Sequence, residues 1–208
     1  MVGYFLQDYA VSVQKTRRVQ LPLKKKDVLA LHVGDIVMIS GRLVTGRDRI
    51  HKFLFHKKPG ARQIPFDIEG TVIYHCGPIM QKTPAGHRFV AGGPTTSMRV
   101  EMYEERIISE YGLRGVMGKG GMGKRTLDAL GENGCVYLHT IGGAAAYLAD
   151  RVKKVAGVWM IDEFGPTEAM WALDVEDFPA IVTMDAYGKS LHDLIVEQSL
   201  EELRKLIQ

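Results

Sequence analysis

Three short turns concentrate residue types that can hold and polarise a small anion. The first, Thr45-Gly46-Arg47-Asp48-Arg49-Ile50-His51, carries Arg47, Asp48, Arg49 and His51 almost consecutively. The second, Gly92-Gly93-Pro94-Thr95-Thr96-Ser97-Met98-Arg99, sets three hydroxyls ahead of an arginine. The third, Gly118-Lys119-Gly120-Gly121-Met122-Gly123-Lys124-Arg125, holds a lysine among glycines. A guanidinium can fork two parallel hydrogen bonds onto a carboxylate, each charge-assisted bond contributing about 1.5–3 kcal/mol. A lysine between glycines lets backbone and ammonium approach the same anion.

Each turn also has a plainer reading. The first reads equally as a solvated loop with an Arg–Asp surface pair of little energetic value. In the second, Pro94 and the hydroxyls mark a helix start, and capping accounts for one hydroxyl. If that helix begins there, Thr95 and Arg99 share a face. The third fits G-x-G-x-x-G through Gly118, Gly120 and Gly123, and nearly fits a P-loop. Arg125 stands where the P-loop Ser or Thr belongs, and the acid expected after the next strand is missing until Asp150. A phosphate- or nucleotide-binding module built on Gly118–Gly123 remains the alternative from a different class.

Composition narrows the partners. Apolar residues make up 46% and charged residues 25%, which suits a globular chain and argues against disorder, collagen or coiled coil. The net charge of +3 is too small to imply nucleic acid, and the clusters Lys15-Thr-Arg17-Arg18, Lys24-Lys25-Lys26 and His56-Lys57-Lys58 lack interleaved aromatics. No apolar run approaches the roughly 20 residues of a spanning helix. The start, Met1-Val-Gly-Tyr-Phe-Leu-Gln-Asp8, has no signal-peptide pattern, so a cytoplasmic protein with no membrane partner is expected. The two cysteines, Cys76 and Cys135, cannot complete a zinc site or an iron–sulfur cluster by themselves, and are expected to be reduced and buried. The histidines show no H-x-x-x-H pair, so no metal ligand is assigned to this chain.

The elements that must position these turns alternate. Extended Val19–Leu23, a helix over Lys25–Leu31, a strand over Asp35–Gly41 and a helical turn over Ile50–Phe55 come first. Strands follow at Gly70–Cys76 and Phe89–Ala91, then an amphipathic helix from Thr95 to Tyr111 with Met98, Met102, Ile107 and Ile108 on one side. Gly115–Met117 is a strand, Lys124–Leu130 a helix, Cys135–Thr140 a strand and Ala144–Val152 a helix. Met170–Val175 and Ala180–Met184 are two further strands, and Leu191–Leu206 is a closing helix. This order predicts an α/β fold, one domain over 1–208, with a mixed sheet: a parallel central part and added antiparallel strands. Several glycines fall where a strand gives way to a helix, the edge at which open α/β sheets bind ligands.

Taken together, the motifs resemble the β subunit, or C-terminal domain, of class I iron–sulfur-dependent fumarate hydratases, and the related L-tartrate dehydratase β subunits. The resemblance spans about Leu21 to Asp193. It is carried by Gly34-Asp35-Ile-Val-Met-Ile-Ser-Gly41 with Arg47-Asp48 and His51, by Gly77-Pro78, by Gly93-Pro94-Thr95-Thr96-Ser97-x-Arg99, by Gly118-Lys119-Gly120-Gly121-Met122, and by Val175-Glu-Asp-Phe-Pro-Ala180 with Asp185. Ile50 departs from the family's usual alanine, and Gly165-Pro166-Thr167-Glu168 moves a proline by one place.

The resemblance implies a swivelling β/β/α domain that completes an active site with a fumarase α subunit. That partner would carry the [4Fe-4S] cluster, in an assembly of α2β2 type. It further implies a hydro-lyase interconverting (S)-malate with fumarate and water. Arg47, Arg99 and Lys119 would bind the dicarboxylate, and Thr95 would be the base taking the carbon-bound proton. Asp48, His51, Thr96, Gly118 and Gly120 would support them, with no metal held by this chain. An L-tartrate dehydratase β subunit is the alternative within the same chemistry.

Overall fold

The computed structural model describes residues 16–84 and 86–207; the reading of the start at Met1–Asp8 and of Lys15 lies outside them. Strands are β1 (Thr16–Gln20), β2 (Ile36–Gly46), β3 (Val72–His75), β4 (Ile79–Thr83), β5 (Gly86–Ala91), β6 (Gly115–Gly118), β7 (Val136–His139), β8 (Val152–Trp159) and β9 (Met170–Met184). Helices are α1 (Lys25–Val28), α2 (Asp48–Lys57), α3 (Glu101–Tyr111), α4 (Lys124–Asn133), α5 (Ala145–Ala149), α6 (Ile161–Phe164) and α7 (Leu191–Leu206).

The main sheet runs β1-β2-β3-β6-β7-β9-β8, and β4 and β5 form a separate hairpin. β1, β2, β3, β6 and β7 pair in parallel; β9 is antiparallel to β2, β7 and β8. Because β9 pairs with both β7 and β2, the ladder closes on itself. The expected mixed sheet, parallel in its centre with added antiparallel strands, is therefore present.

Side chains alternate across the central strands and feed two cores. Val72, Tyr74, Met117, Val136 and Leu138 join Trp171 and Phe178 in one. Ile73, Val116 and Tyr137 point the other way, onto Ile50 and Leu54 of α2, Ile107 and Ile108 of α3, and Leu130 of α4. The helices that cover this face are the ones that begin at or near the turns after β2 and β6. Their packing fixes where those turns sit.

Several expectations are corrected. Met170–Val175 and Ala180–Met184 are one strand, because the irregular Glu176–Pro179 stretch is absorbed at a bulge: Asp177 takes φ 46° and its N–H donates to Ser40 Oγ. The helix expected over Ala144–Val152 ends at Ala149, and Val152 opens β8 instead. The β4 strand was not expected. The Thr95–Tyr111 helix starts later, as a 3-10 turn over Ser97–Val100 that runs into α3. A 3-10 turn repeats every three residues, not every 3.6, so the face drawn from Thr95 does not persist. Met98 and Met102 are 51% and 58% exposed, while Ile107 and Ile108 are buried. Within α3 itself Met102 lies about 140° round the helix from Ile107 and about 120° from Ile108, so the methionines and isoleucines do not share a side. Thr95 lies before the 3-10 turn and Arg99 within it, so the two do not share a helical face.

Candidate functional site

The parallel strands β2, β3, β6 and β7 end at Gly46, His75, Gly118 and His139, and all three turns emerge at or cross this one edge. Arg47 is the extended residue before α2. Its guanidinium passes over Gly77: a Cβ there would lie 2.7 Å from Arg47 Nη1 and 2.9 Å from the Thr167 carbonyl. That close approach accounts for the glycine of Gly77-Pro78. Arg47 Nε is 3.3 Å from Glu168 Oε1 and 3.6 Å from Asp48 Oδ2. Asp48 Oδ2 also meets Arg99 Nη2 at 2.5 Å, so one carboxylate links the first and second turns. Glu168 accepts the Arg49 N–H at 2.9 Å, fixing the start of α2.

The second and third turns are joined through main chain. Thr95 N–H donates to the His75 carbonyl at 2.7 Å, Ser97 N–H to the Lys119 carbonyl at 3.0 Å, and Lys119 N–H to the Thr95 carbonyl at 3.4 Å. Thr96 and Lys119 form an isolated parallel bridge, and Thr96 itself is exposed. Gly120 takes φ +84°, which turns the chain away after Lys119. Thr95 and Lys119 are half-buried. No carboxylate among the described residues lies within ion-pair distance of Lys119.

The hydroxyls do not cap the helix. Ser97 Oγ pairs with Tyr137 OH at 2.8 Å, and Thr96, at the cap position, makes no side-chain cap bond. The capping carboxylate here belongs to Glu101. It accepts from Gly123 N–H at 2.9 Å, Thr126 N–H at 3.2 Å and Thr126 Oγ1 at 2.7 Å. The anion position at the start of α4, where a nucleotide phosphate would sit, is thus filled by the protein's own carboxylate. Glu101→Ala removes all three bonds. A loss of about 1–2 kcal/mol is expected, and with it a fall in Tm of roughly 2–8 °C, read by thermal denaturation of the chain. An unchanged Tm would show that water replaces the cap.

Beneath the three turns lie His51, His75 and Glu104, all buried. Glu104 Oε2 is 3.3 Å from His51 Nε2 and 3.4 Å from His75 Nε2, contacts at ion-pair distance whose alignment falls short of a hydrogen bond. Burial raises the Glu104 carboxyl, but the two imidazoles outweigh it and hold it at about 2. Burial lowers His51, yet Glu104 and the Arg47 carbonyl bring it above its ordinary value. His75 has no such carbonyl partner on its ring, and burial leaves it lowered. Their donor atoms lie within 4.8 Å of one another, the described set nearest to a metal-ligand arrangement. Sequence reasoning missed His75 and Glu104. The available signal was Glu104 itself, a carboxylate four residues after Val100 and three before Ile107, on the buried face of α3.

Neither thiol fits an iron–sulfur cluster. Cys76 and Cys135 sit in separate cores, both fully buried. Burial pushes Cys76 up to about 12 and raises Cys135 as well, so neither offers the thiolate that iron requires.

The family described as Fumarase C-terminus matches residues 4–195. A protein of Geobacillus stearothermophilus provisionally named class I fumarate hydratase is 49% identical over 95% of this chain, which spans 38% of that relative's length. A protein of Methanocaldococcus jannaschii provisionally named L(+)-tartrate dehydratase subunit beta is 42% identical over 89% of this chain and 95% of its own. The L(+)-tartrate dehydratase subunit beta of Escherichia coli K12 is 40% identical, covering 82% and 83%. With most of its length matched and relatives of this similarity, the chain belongs to the Fumarase C-terminus family.

Proposed function

We propose that this chain is the substrate-holding β subunit of an iron–sulfur hydro-lyase that interconverts (S)-malate with fumarate and water. The observation that carries the reading is the gathering of Arg47, Arg99, Thr95 and Lys119 at one sheet edge, in a family whose relatives include a fumarate hydratase and tartrate dehydratase β subunits. In the same reading residues 1–208 form one swivelling β/β/α domain, working in the cytoplasm. The [4Fe-4S] cluster belongs to an α subunit, since the thiols of this chain cannot hold it. The edge is built to be covered: Arg99 keeps half its side chain exposed, and Met98 and Ile141 stand exposed, one beside Arg99 and the other two residues past the His139 end of β7. In this reading two such pairs make an α2β2-type assembly.

The chain's own chemistry is electrostatic. Removing the proton beside one carboxylate of malate builds charge on that carboxylate's oxygens. A fixed cation aimed there stabilises the transition state more than the ground state. Lys119 and Arg99 take that role, and Arg47 orients the other carboxylate. Thr95 receives the carbon-bound proton while giving up its hydroxyl proton, whose acceptor we place in the partner or a water chain.

L-tartrate is the second reading, favoured by the relative matched over 95% of its length. The test is reconstitution with the cluster-bearing α subunit. The chain alone is expected to be inactive, and the pair to act faster on malate than on L-tartrate. Substantial activity from this chain alone overturns the subunit reading; a reversed preference assigns tartrate.

A further inference from the structure

A buried, charged His–Glu–His cluster is a poor way to stabilise a core. Desolvating the charges offsets much of their attraction, and an apolar trio of similar volume would serve as well or better. Here the cluster also leaves both Glu104 oxygens and both Nε2 atoms without a hydrogen bond, although all are sealed from water. Such groups call for an explanation. Their position supplies one.

Each imidazole touches a different turn. The His51 ring accepts no solvent: its Nδ1 lies 2.8 Å from the Arg47 carbonyl, so Nδ1–H donates there and ties the ring to the residue that starts α2. The His75 carbonyl accepts the Thr95 N–H at 2.7 Å. The His75 ring lies against the third turn: a Cβ on Gly118 would be 3.2 Å from its Nδ1. The two rings meet edge to face, 4.9 Å apart. Glu104 comes from α3, whose preceding 3-10 turn carries Arg99. One carboxylate therefore sits at the meeting point of the elements bearing Arg47, Thr95, Arg99 and Lys119.

We propose that Glu104, acting through His51 and His75, is a positioning residue that holds the Arg47, Thr95 and Lys119 turns in mutual register. The cluster carries its charge as a Glu104 carboxylate, a doubly protonated His51 and a neutral His75. Asp48 is the other carboxylate whose field reaches both rings. The arrangement is neutral in sum, which lets it stay buried. Three main-chain or ring contacts then inherit its geometry.

The kinetic consequence rests on the hydro-lyase reading; the spectroscopic one does not. Imidazole nitrogen NMR of the isolated chain, at a pH equal to the ordinary histidine pKa, is expected to show His51 mostly protonated on both nitrogens and His75 mostly neutral. In Glu104→Gln it becomes neutral with the proton on Nδ1, and the amide signals of Thr95 and Lys119 move. In the reconstituted enzyme the same variant is expected to lose about 10–100-fold in kcat/KM, with Glu104→Asp recovering part of it. Should Gln prevent folding, Asp alone is read, and is expected to shift the same amides by less. A His51 mostly neutral at that pH in the unsubstituted chain overturns the proposal, as do unmoved Thr95 and Lys119 amides. A stoichiometric divalent ion in the purified chain, lost in Glu104→Gln, also overturns it and makes the cluster a metal site. If no dicarboxylate is turned over while the NMR result holds, the enzyme reading fails and the positioning of the turns stands.

Discussion

Lys119→Ala in the assembled enzyme is expected to lower kcat/KM for malate by about 10²–10³-fold, the usual cost of losing one preorganised donor at a developing charge. The size follows from where the lysine is held. Its carbonyl accepts from Ser97 N–H and its N–H donates to the Thr95 carbonyl, so the main chain alone fixes the turn. The side chain carries none of that load; its stem runs past Gly142, where a Cβ would lie 3.6 Å from Lys119 Cδ. Truncation at Cβ should therefore leave Tm and subunit association unchanged while removing the ammonium. Lys119→Arg is expected to rescue poorly, because a planar fork cannot replace a compact charge in a glycine-walled turn. Steady-state kinetics on malate, with Tm as the control, decide it. A rate near that of the unsubstituted enzyme removes Lys119 from the site, and with it much of the electrostatic account.

What makes this candidate site legible in sequence is the company its residues keep. Arg47, Thr95 and Lys119 each stand beside glycine or proline, and Arg99 ends the turn that Gly93-Pro94 opens; such punctuation marks both a turn and a close approach. The structure shows what two glycines of the quoted motifs admit: the Arg47 guanidinium over Gly77, and Ser97 with His75 against Gly118. The parallel centre of the sheet was legible too, because Val72–His75 and Val136–His139 are short apolar runs bounded by turn residues. The rest depends on contacts far apart in the chain. His75 and Glu104 become partners only when β3 and α3 pack together. Glu101 fills the start of α4 across 22 residues, which no local pattern announces. Placing Met98 and Met102 with Ile107 fails on the helix's own geometry: at 3.6 residues per turn Met102 lies about 140° from Ile107, and only the isoleucines face the core. The merged β9 was hidden by Pro179, whose usual meaning in a strand is an end. Here it faces Met38 next to a bulge.

Gly118→Ala should be the most damaging single methyl at this site. An added Cβ would lie 2.1 Å from Ser97 Oγ and 3.2 Å from both Cβ and Nδ1 of His75. Relief requires Ser97 to leave Tyr137, with which it shares a buried hydrogen bond of 2.8 Å. Overpacking costs about 1–3 kcal/mol, and the stranded hydroxyls about 1–3 kcal/mol more. A loss of roughly 2–4 kcal/mol is expected after relaxation, lowering Tm by about 4–16 °C. Activity should fall further than stability, because moving Ser97 disturbs its bond to the Lys119 carbonyl and so the register of the second and third turns. Gly60→Ala is the control: at φ −67° its nearest neighbour, Gln63 Oε1, is 4.0 Å away, so near-neutral behaviour is expected. Clash with Ser97 has a specific signature. Ser97→Ala removes the Oγ that the new methyl meets, so in the double variant the cost of Gly118→Ala should shrink by at least about 1 kcal/mol, measured by a double-mutant cycle in denaturant. Simple additivity would place the strain at His75 instead, and would mean that the second and third turns are locked through the buried histidine and not through the Ser97–Tyr137 bond.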